Sequence, residues 1–365
     1  MNKDIILSLI LCSRNDSYMG NARWRLETTI NQTLHHAKEA GFLNEIEILV
    51  SDWGSEKPLR NVLSLIDEAE NRVYFLEIPP KVAAKEQKDS KFAEVIALNS
   101  VARRANGDFI GRIDNDTIIG KDFFIRFFSL IKNSTNLYFK LDDAFLFVER
   151  RSVPYRFSSK SYPLSNVELF LHLFGKILTI ESARQYGKPF WWSPVGIMLF
   201  HKDIWHACRG YDEKLLYWGW MEGDIALRLR QKHHLIDFKD HVGNFFFHLE
   251  HYPNLTAYKD RNGPATPRKK NQVTTEKLEF APNKKNWGLA EYELELVTYK
   301  SKIVENYKSP NSHSSRWLHF SVTVACLPFK LLLDNWKLYG QSLMSGKLSS
   351  LRISLGKSKA IIFKK

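Results

Sequence analysis

Asp114 and Asp116 stand two apart at the end of a short apolar run, Phe109-Ile110-Gly111-Arg112-Ile113. On an extended chain such residues point the same way, so both carboxylates could face one bound object. Two negative charges held that close need a cation or a proton between them. One reading is a divalent metal on hard oxygen ligands, with phosphate oxygens completing its shell. The other is a solvated Asp-Asn turn between strand and helix, which the same residue types favour.

Two further stretches carry residues that could do chemistry. Gly210-Tyr211-Asp212-Glu213 is a turn, and the aromatic-rich segment Trp218-Gly219-Trp220 follows it shortly before Glu222 and Asp224. Acids in the first turn of a helix are favoured by its dipole, so capping alone explains them. A carboxylate beside aromatic rings could instead act as a general base, because burial raises its pKa. Downstream, Phe245-Phe246-Phe247 leads into His248, Glu250 and His251. Those imidazoles are either structural residues after an apolar strand or neutral metal ligands.

These residues need elements to hold them. Apolar runs at Asp4–Cys12, Ile46–Val50 and Val73–Ile78 read as strands, with Gly107–Ile113 as the fourth. Helical spacing covers Asn21–Ala40, Pro58–Ala69 and Phe92–Ala105, and Pro79-Pro80 opens a polar loop. Strands alternating with helices imply βαβ units and a mostly parallel sheet. In such sheets ligands sit beyond the carboxyl ends of the strands. Ser13-Arg14-Asn15-Asp16, the Asp52–Glu56 cluster and Asp114–Asp116 all fall at strand ends, which favours one shared cleft. Beyond Asp116 the spacing predicts a helix at Phe123–Ile131 and strands at Tyr138–Val148 and Phe190–Phe200. Between those strands lies an irregular insertion, Arg150–Tyr186, holding a short helix from Val167 to Phe174.

The 365 residues carry a formal net charge of +13, and from Arg316 onward there are nine Lys/Arg against one acid. The excess is therefore local and argues for a basic tail meeting an anionic surface, against a chain-wide nucleic-acid footprint. Cys12, Cys208 and Cys326 are scattered and odd in number, which fits a reducing compartment and no disulfide framework. Ile5–Leu11 is too short for a signal peptide and lacks a cleavage site, so a cytoplasmic location is expected.

Taken in order, these motifs resemble those of GT-A-fold glycosyltransferases, nearest to family 2 enzymes and to the C-terminal region of galactosyltransferases. The matching stretches are Ser13–Asp16, Ser51-Asp52-Trp53-Gly54-Ser55, Asn99 through Asp108, Asp114-Asn115-Asp116, Gly210–Glu213, Trp218-Gly219-Trp220 and Glu222-Gly223-Asp224, spanning roughly residues 4 to 254. The resemblance implies an α/β, Rossmann-like fold with a mixed, mostly parallel central sheet. It implies that Ser13, Arg14, Asn15 and Asp16 hold a nucleotide-sugar donor, with Asp52 on the base. Asn99, Arg112, Asp114 and Asn115 would also serve the donor. Asp114 and Asp116 would place Mn²⁺ or Mg²⁺ on the donor diphosphate, with His248 or His251 as a late metal contact, and a UDP-sugar is favoured. Trp218, Gly219 and Trp220 would shape the acceptor site. Asp224, with Glu222 second, would deprotonate the acceptor hydroxyl of an inverting hexosyl- or N-acetylhexosaminyltransferase. Here Gly223 separates the two acids, where the family places acids side by side.

The expected organisation is a catalytic domain over residues 1–255, with a nucleotide-binding half to 120 and an acceptor half beyond. A loop and helix over 256–312 follow, the helix at Trp287–Tyr307, and then a helical basic tail over 313–365. The tail mixes Lys and Arg with Leu and Ile, which suits an interfacial helix on the inner face of an anionic membrane. The expected function is a metal-dependent glycosyltransferase for a glycan or lipid-linked glycan in surface polysaccharide or glycoconjugate synthesis. The alternatives are a non-catalytic carbohydrate- or nucleotide-binding module and a nucleotidyltransferase. The latter is disfavoured because the loop after the first strand lacks a Gly-rich, basic phosphate cradle.

Overall fold

A computed structural model describes residues 5–133, 137–217, 219–251 and 278–301. The basic tail, Trp218 and Cys326 lie outside them. The first strand, β1 (Leu7–Ser13), is apolar and buried almost throughout, as the centre of a parallel sheet must be. Its side chains alternate, Leu7, Leu9 and Leu11 entering one core and Ile10 the other. Helix α1 (Ala22–Glu39), β2 (Ile46–Trp53), the short α2 (Leu59–Val62), β3 (Val73–Ile78), α3 (Pro80–Gln87), α4 (Glu94–Ala102) and β4 (Phe109–Arg112) follow. Next come β5 (Thr117–Ile119), α5 (Lys121–Lys132), β6 (Ala144–Val153), α6 (Tyr155–Ser158), α7 (Leu164–Phe174) and β7 (Ile180–Glu181). The last elements are β8 (Val195–His201), α8 (Lys202–Cys208), α9 (Met221–Leu229), β9 (His234–Asp237), α10 (Lys239–Val242), β10 (Phe246–Leu249) and β11 (Leu296–Thr298).

The fold is α/β around one mixed sheet of order β11-β3-β2-β1-β4-β8-β6-β10-β5, with β7 and β9 also on β6. β3, β2, β1 and β4 form a parallel block. β8 runs antiparallel to both β4 and β6, so β6 points the same way as β4. β10 is parallel to β6, and β5 is antiparallel to β10. These directions have one consequence for function. The carboxyl ends of β1, β2, β4, β6 and β10, with the start of β5 and of β8, all lie along one edge of the sheet.

Five expected elements differ. The strand expected from Phe190 starts only at Val195, after a turn at Phe190–Trp192. Pro58–Ala69 is not one helix, because Leu63–Ile66 is held away from helical geometry by α1. The Asn31 amide donates to the Ser64 carbonyl at 3.1 Å, and its oxygen accepts from the Ile66 amide at 3.0 Å. The stretch after Pro79 is the helix α3, with Pro80 in the first turn, where a missing N–H costs nothing. The strand expected from Tyr138 starts at Ala144 and runs on to Val153. No helix occurs over the described part of Trp287–Tyr307. Instead Leu296–Thr298 pairs antiparallel with β3 and supplies that strand's open ladder. Tyr299 then donates its amide to the Val73 carbonyl at 2.8 Å.

Candidate active site

Asp114 and Asp116 sit at the edge where the strands end and line the same cleft, each with its own partners. β4 stops at Arg112, and the chain turns, the Thr117 amide donating to the Asp114 carbonyl at 3.1 Å. The extended geometry behind the paired-carboxylate expectation is therefore absent. Asp114 lies between two guanidinium groups, 2.8 Å from Arg112 Nη2 and 2.6 Å from Arg150 Nη1. Asp116, 4 % exposed, lies 3.4 Å from His248 Nε2, 3.6 Å from His251 Nε2 and 3.6 Å from Arg25 Nε.

His248 is positioned by β10, opposite Thr117 on β5 and Ser152 on β6. Its Nδ1 faces Glu181 Oε1 and Glu250 Oε2, each at 3.7 Å. Burial and Arg150 oppose a charge on His248, but Asp116 and Glu181 outweigh them and lift its pKa to about 9. Burial likewise opposes the Asp116 carboxylate. The charges of His248, His251 and Arg25 prevail and hold it well below the usual range. Glu181, paired with Arg150 at 3.1 Å, is pulled down to about 2 by Arg150 and His248 despite its burial.

This group fits a divalent ion. One oxygen of Asp116 and one nitrogen each of His248 and His251 lie within 4.8 Å of one another. A carboxylate with two imidazoles suits a first-row metal such as manganese. Carboxylates behind the far nitrogen of His248 are the usual orienting partners of a ligating histidine. Among the described residues, the carboxylate oxygens nearest that nitrogen stand 3.7 Å away, beyond hydrogen-bond length. Asp116, His248 and His251 are therefore the candidate donor set, while Asp114 pairs with Arg112 and Arg150.

Arg112 organises the other half of the floor. Its Nη2 lies 2.9 Å from Glu94 Oε1 and 3.5 Å from Glu222 Oε1 as well as beside Asp114. Burial opposes the guanidinium charge, but these acids overcome it and raise its pKa further. Burial, with Glu222 and Asp114 nearby, lifts Glu94 to about 7 even though Arg112 counteracts it.

The sequence expectations divide on this geometry. Ser13, Arg14, Asp16, Arg112, Asp114, Asn115, Asp116, Gly219, Trp220, Glu222, His248 and His251 line one cleft of about 540 Å³. Arg14 donates to Asp16 at 2.8 Å, and Asn115 donates to Ser13 Oγ at 3.2 Å. Asn15 braces the loop from behind, its amide on Ser55 Oγ at 2.8 Å and its side chain on the Lys57 carbonyl at 3.0 Å. Asp224 does not reach the cleft: it is buried, and its carboxylate accepts from Arg228 Nε at 2.8 Å. Asp52 is also turned inward. It accepts from the Ser55 hydroxyl and from the Leu59 amide at 2.7 Å, and burial raises its pKa to about 6. Asn99 is fully buried and clamps the Tyr211 backbone, accepting from its amide at 2.8 Å and donating to its carbonyl at 2.9 Å. Gly210 leaves room for that clamp, with φ +69° and an ideal Cβ only 2.2 Å from Asn99 Oδ1. Trp218 lies outside the described residues.

Sequence reasoning missed Glu94, Arg150, Glu181, Arg25, Trp191 and Trp192. The rule that strand ends build the cleft would have found Arg150, had the strand been extended past Val148. Trp191 and Trp192 come from the turn Phe190–Trp192, which sits just before β8 at the same edge.

No family model matches the chain, and no curated protein matches it. Among solved structures it is similar to residues 1–349 of TarS from S. aureus, at a TM-score of 0.38 and 15% identity, covering 73% of this chain and 68% of that one. The same TarS segment in complex with UDP gives a TM-score of 0.37 and 15% identity over the same shares. A longer TarS chain gives 0.36 and 16% identity, covering 73% of this chain and 41% of that one.

Proposed function

We propose that this chain is a glycosyltransferase that moves a sugar from a nucleoside-diphosphate sugar, favouring UDP, to a glycan or lipid-linked glycan in surface polysaccharide or glycoconjugate synthesis. The observation that carries the reading is the meeting, in one cleft, of a cation-competent group (Asp116, His248, His251), an acid at a helix start (Glu222) and a wall of tryptophans. The motif order described above and the GT-A resemblance support the same reading. The Ser13–Asp16 loop and Asn115 bind the nucleotide. Asp116, His248 and His251 would hold a first-row divalent ion such as Mn²⁺, which would offset the charge growing on the leaving diphosphate.

Glu222 replaces Asp224 as the base, because only Glu222 opens on the cleft. It takes the proton of an acceptor hydroxyl as that oxygen attacks the anomeric carbon from the face opposite the diphosphate. The C–O bond to the diphosphate breaks, and the anomeric configuration inverts. Arg112 steers Glu222 and balances its charge. The hexosyl or N-acetylhexosaminyl identity of the donor belongs to the same proposal. The basic tail over 313–365 would dock on an anionic membrane face; loss of sedimentation with anionic vesicles on its deletion tests that part.

The central test is a thermal-shift screen of UDP-, GDP- and CMP-sugars with Mn²⁺, since a ligand that binds the folded state raises its stability. A UDP-sugar is expected to raise Tm only with the metal present. Donor hydrolysis and transfer are then followed by NMR, where a product of retained configuration would overturn the assignment of Glu222. Absence of stabilisation by every nucleotide-sugar would overturn the function.

A further inference from the structure

We infer that the acceptor is bound as a saccharide ring lying on the indole of Trp192. The inference rests on the glycosyltransferase reading and narrows the acceptor's binding chemistry within the cleft. Trp192 lines the cleft and is 37% exposed, unusual for so large an apolar side chain. It is also held firmly. An ideal Cβ on Gly223 would lie 3.3 Å from Cζ2 and Cη2 of Trp192, so the indole rests on the bare first turn of α9. Trp220 meets it edge-on, ring centres 5.5 Å apart at 80°.

The turn beneath is anchored as well. The buried Ser193 hydroxyl accepts from the Ala183 amide and donates to Glu149, both at 2.8 Å. A rigid, wet aromatic face of this kind suits the apolar C–H face of a pyranose. Gly223, which admits the indole, is the immediate neighbour of Glu222. A ring seated on Trp192 therefore lies next to the proposed base. The glycine between the two acids, a departure from the family pattern, gains a reason.

The test uses saturation-transfer NMR on the full chain with methyl glycosides of glucose, galactose and N-acetylglucosamine as probes. At least one glycoside should show transfer. Its dissociation constant should rise about tenfold in Trp192→Ala, the scale of one lost stacking partner. Trp192→Phe should retain part of the binding. Gly223→Ala should weaken it by displacing the indole, with Tm showing each variant folded. Tyr186→Ala, an exposed aromatic outside the cleft lining, should change nothing. Unchanged binding in Trp192→Ala, or no transfer to any glycoside while a UDP-sugar still raises Tm, overturns the inference and leaves the function standing. Trp192-dependent binding without any nucleotide-sugar stabilisation would overturn the function alone.

Discussion

Asp114 and Asp116 look alike in the sequence, yet their surroundings give them different work. Asp116→Asn should abolish the Mn²⁺-dependent rise in Tm and also destabilise the metal-free protein, because it leaves His248 and Arg25 buried without their carboxylate. Asp114→Asn should keep the Mn²⁺-dependent rise. It leaves Arg112 and Arg150 short of a carboxylate and should cost about 2 kcal/mol in urea unfolding, the scale of a hydrogen bond to a charged group. Glu94 gives a pH signature. Its folded pKa of about 7 lies above the ordinary 4.5, so the folded state holds the proton more tightly than the unfolded chain. Its contribution to stability therefore declines as pH rises from about 4.5 to about 7. Glu94→Gln should flatten that decline when urea midpoints are compared at pH 5 and pH 8. The residue types of the site were legible in the chain: the acids after the fourth strand, the late histidines, the acids in the first turn of α9. Which acid faces the cleft was not. Positions 222 and 224 are about 200° apart around a helix, so one must turn inward, and only packing against Arg228 decides which.

At the scale of elements, strand ends predicted from apolar runs found the cleft, because sheet direction alone brings those ends to one edge. What failed were places where a distant side chain overrides local preference. Asn31 on α1 occupies the backbone groups of Ser64 and Ile66, which spacing assigned to a helix. Asn99 on α4 likewise occupies the backbone groups of Tyr211, in a stretch that the sequence also read as a turn. Asn99→Ala should therefore act on stability and not on the donor. Urea unfolding should show a loss of about 2 kcal/mol from two buried backbone partners left unmet, with UDP-sugar affinity of the folded protein unchanged. A loss of donor affinity without a loss of stability would return Asn99 to the donor site. Arg150 was missed for a related reason. β6 runs five residues past its expected end because β7 and β10 supply partners for its last turns of ladder, and no local signal announces partners that far away.

On the scale of the whole molecule, residues 278–301 belong with the α/β body. Trp287 is 3% exposed, and Arg104 donates to the carbonyls of Gly288, at 2.9 Å, and Leu289, at 3.3 Å. β11 covers the edge of β3. A chain ending at 255 should therefore expose that edge and aggregate, while one ending at 307 should keep the full-length Tm. Light scattering beside thermal melts would separate the two. Among the described residues no helix is long and apolar enough to cross a membrane. The Ser13–Asp16 loop has a last implication. Through Ser55, the inward-turned Asp52 is linked to the amide of Asn15, so the loop's shape is settled when the protein folds and not when a ligand arrives. A partner meeting such a surface has little to rearrange. Nucleotide capture should then follow one exponential in stopped-flow fluorescence, and breaking the link with Ser55→Ala should add a slow second phase.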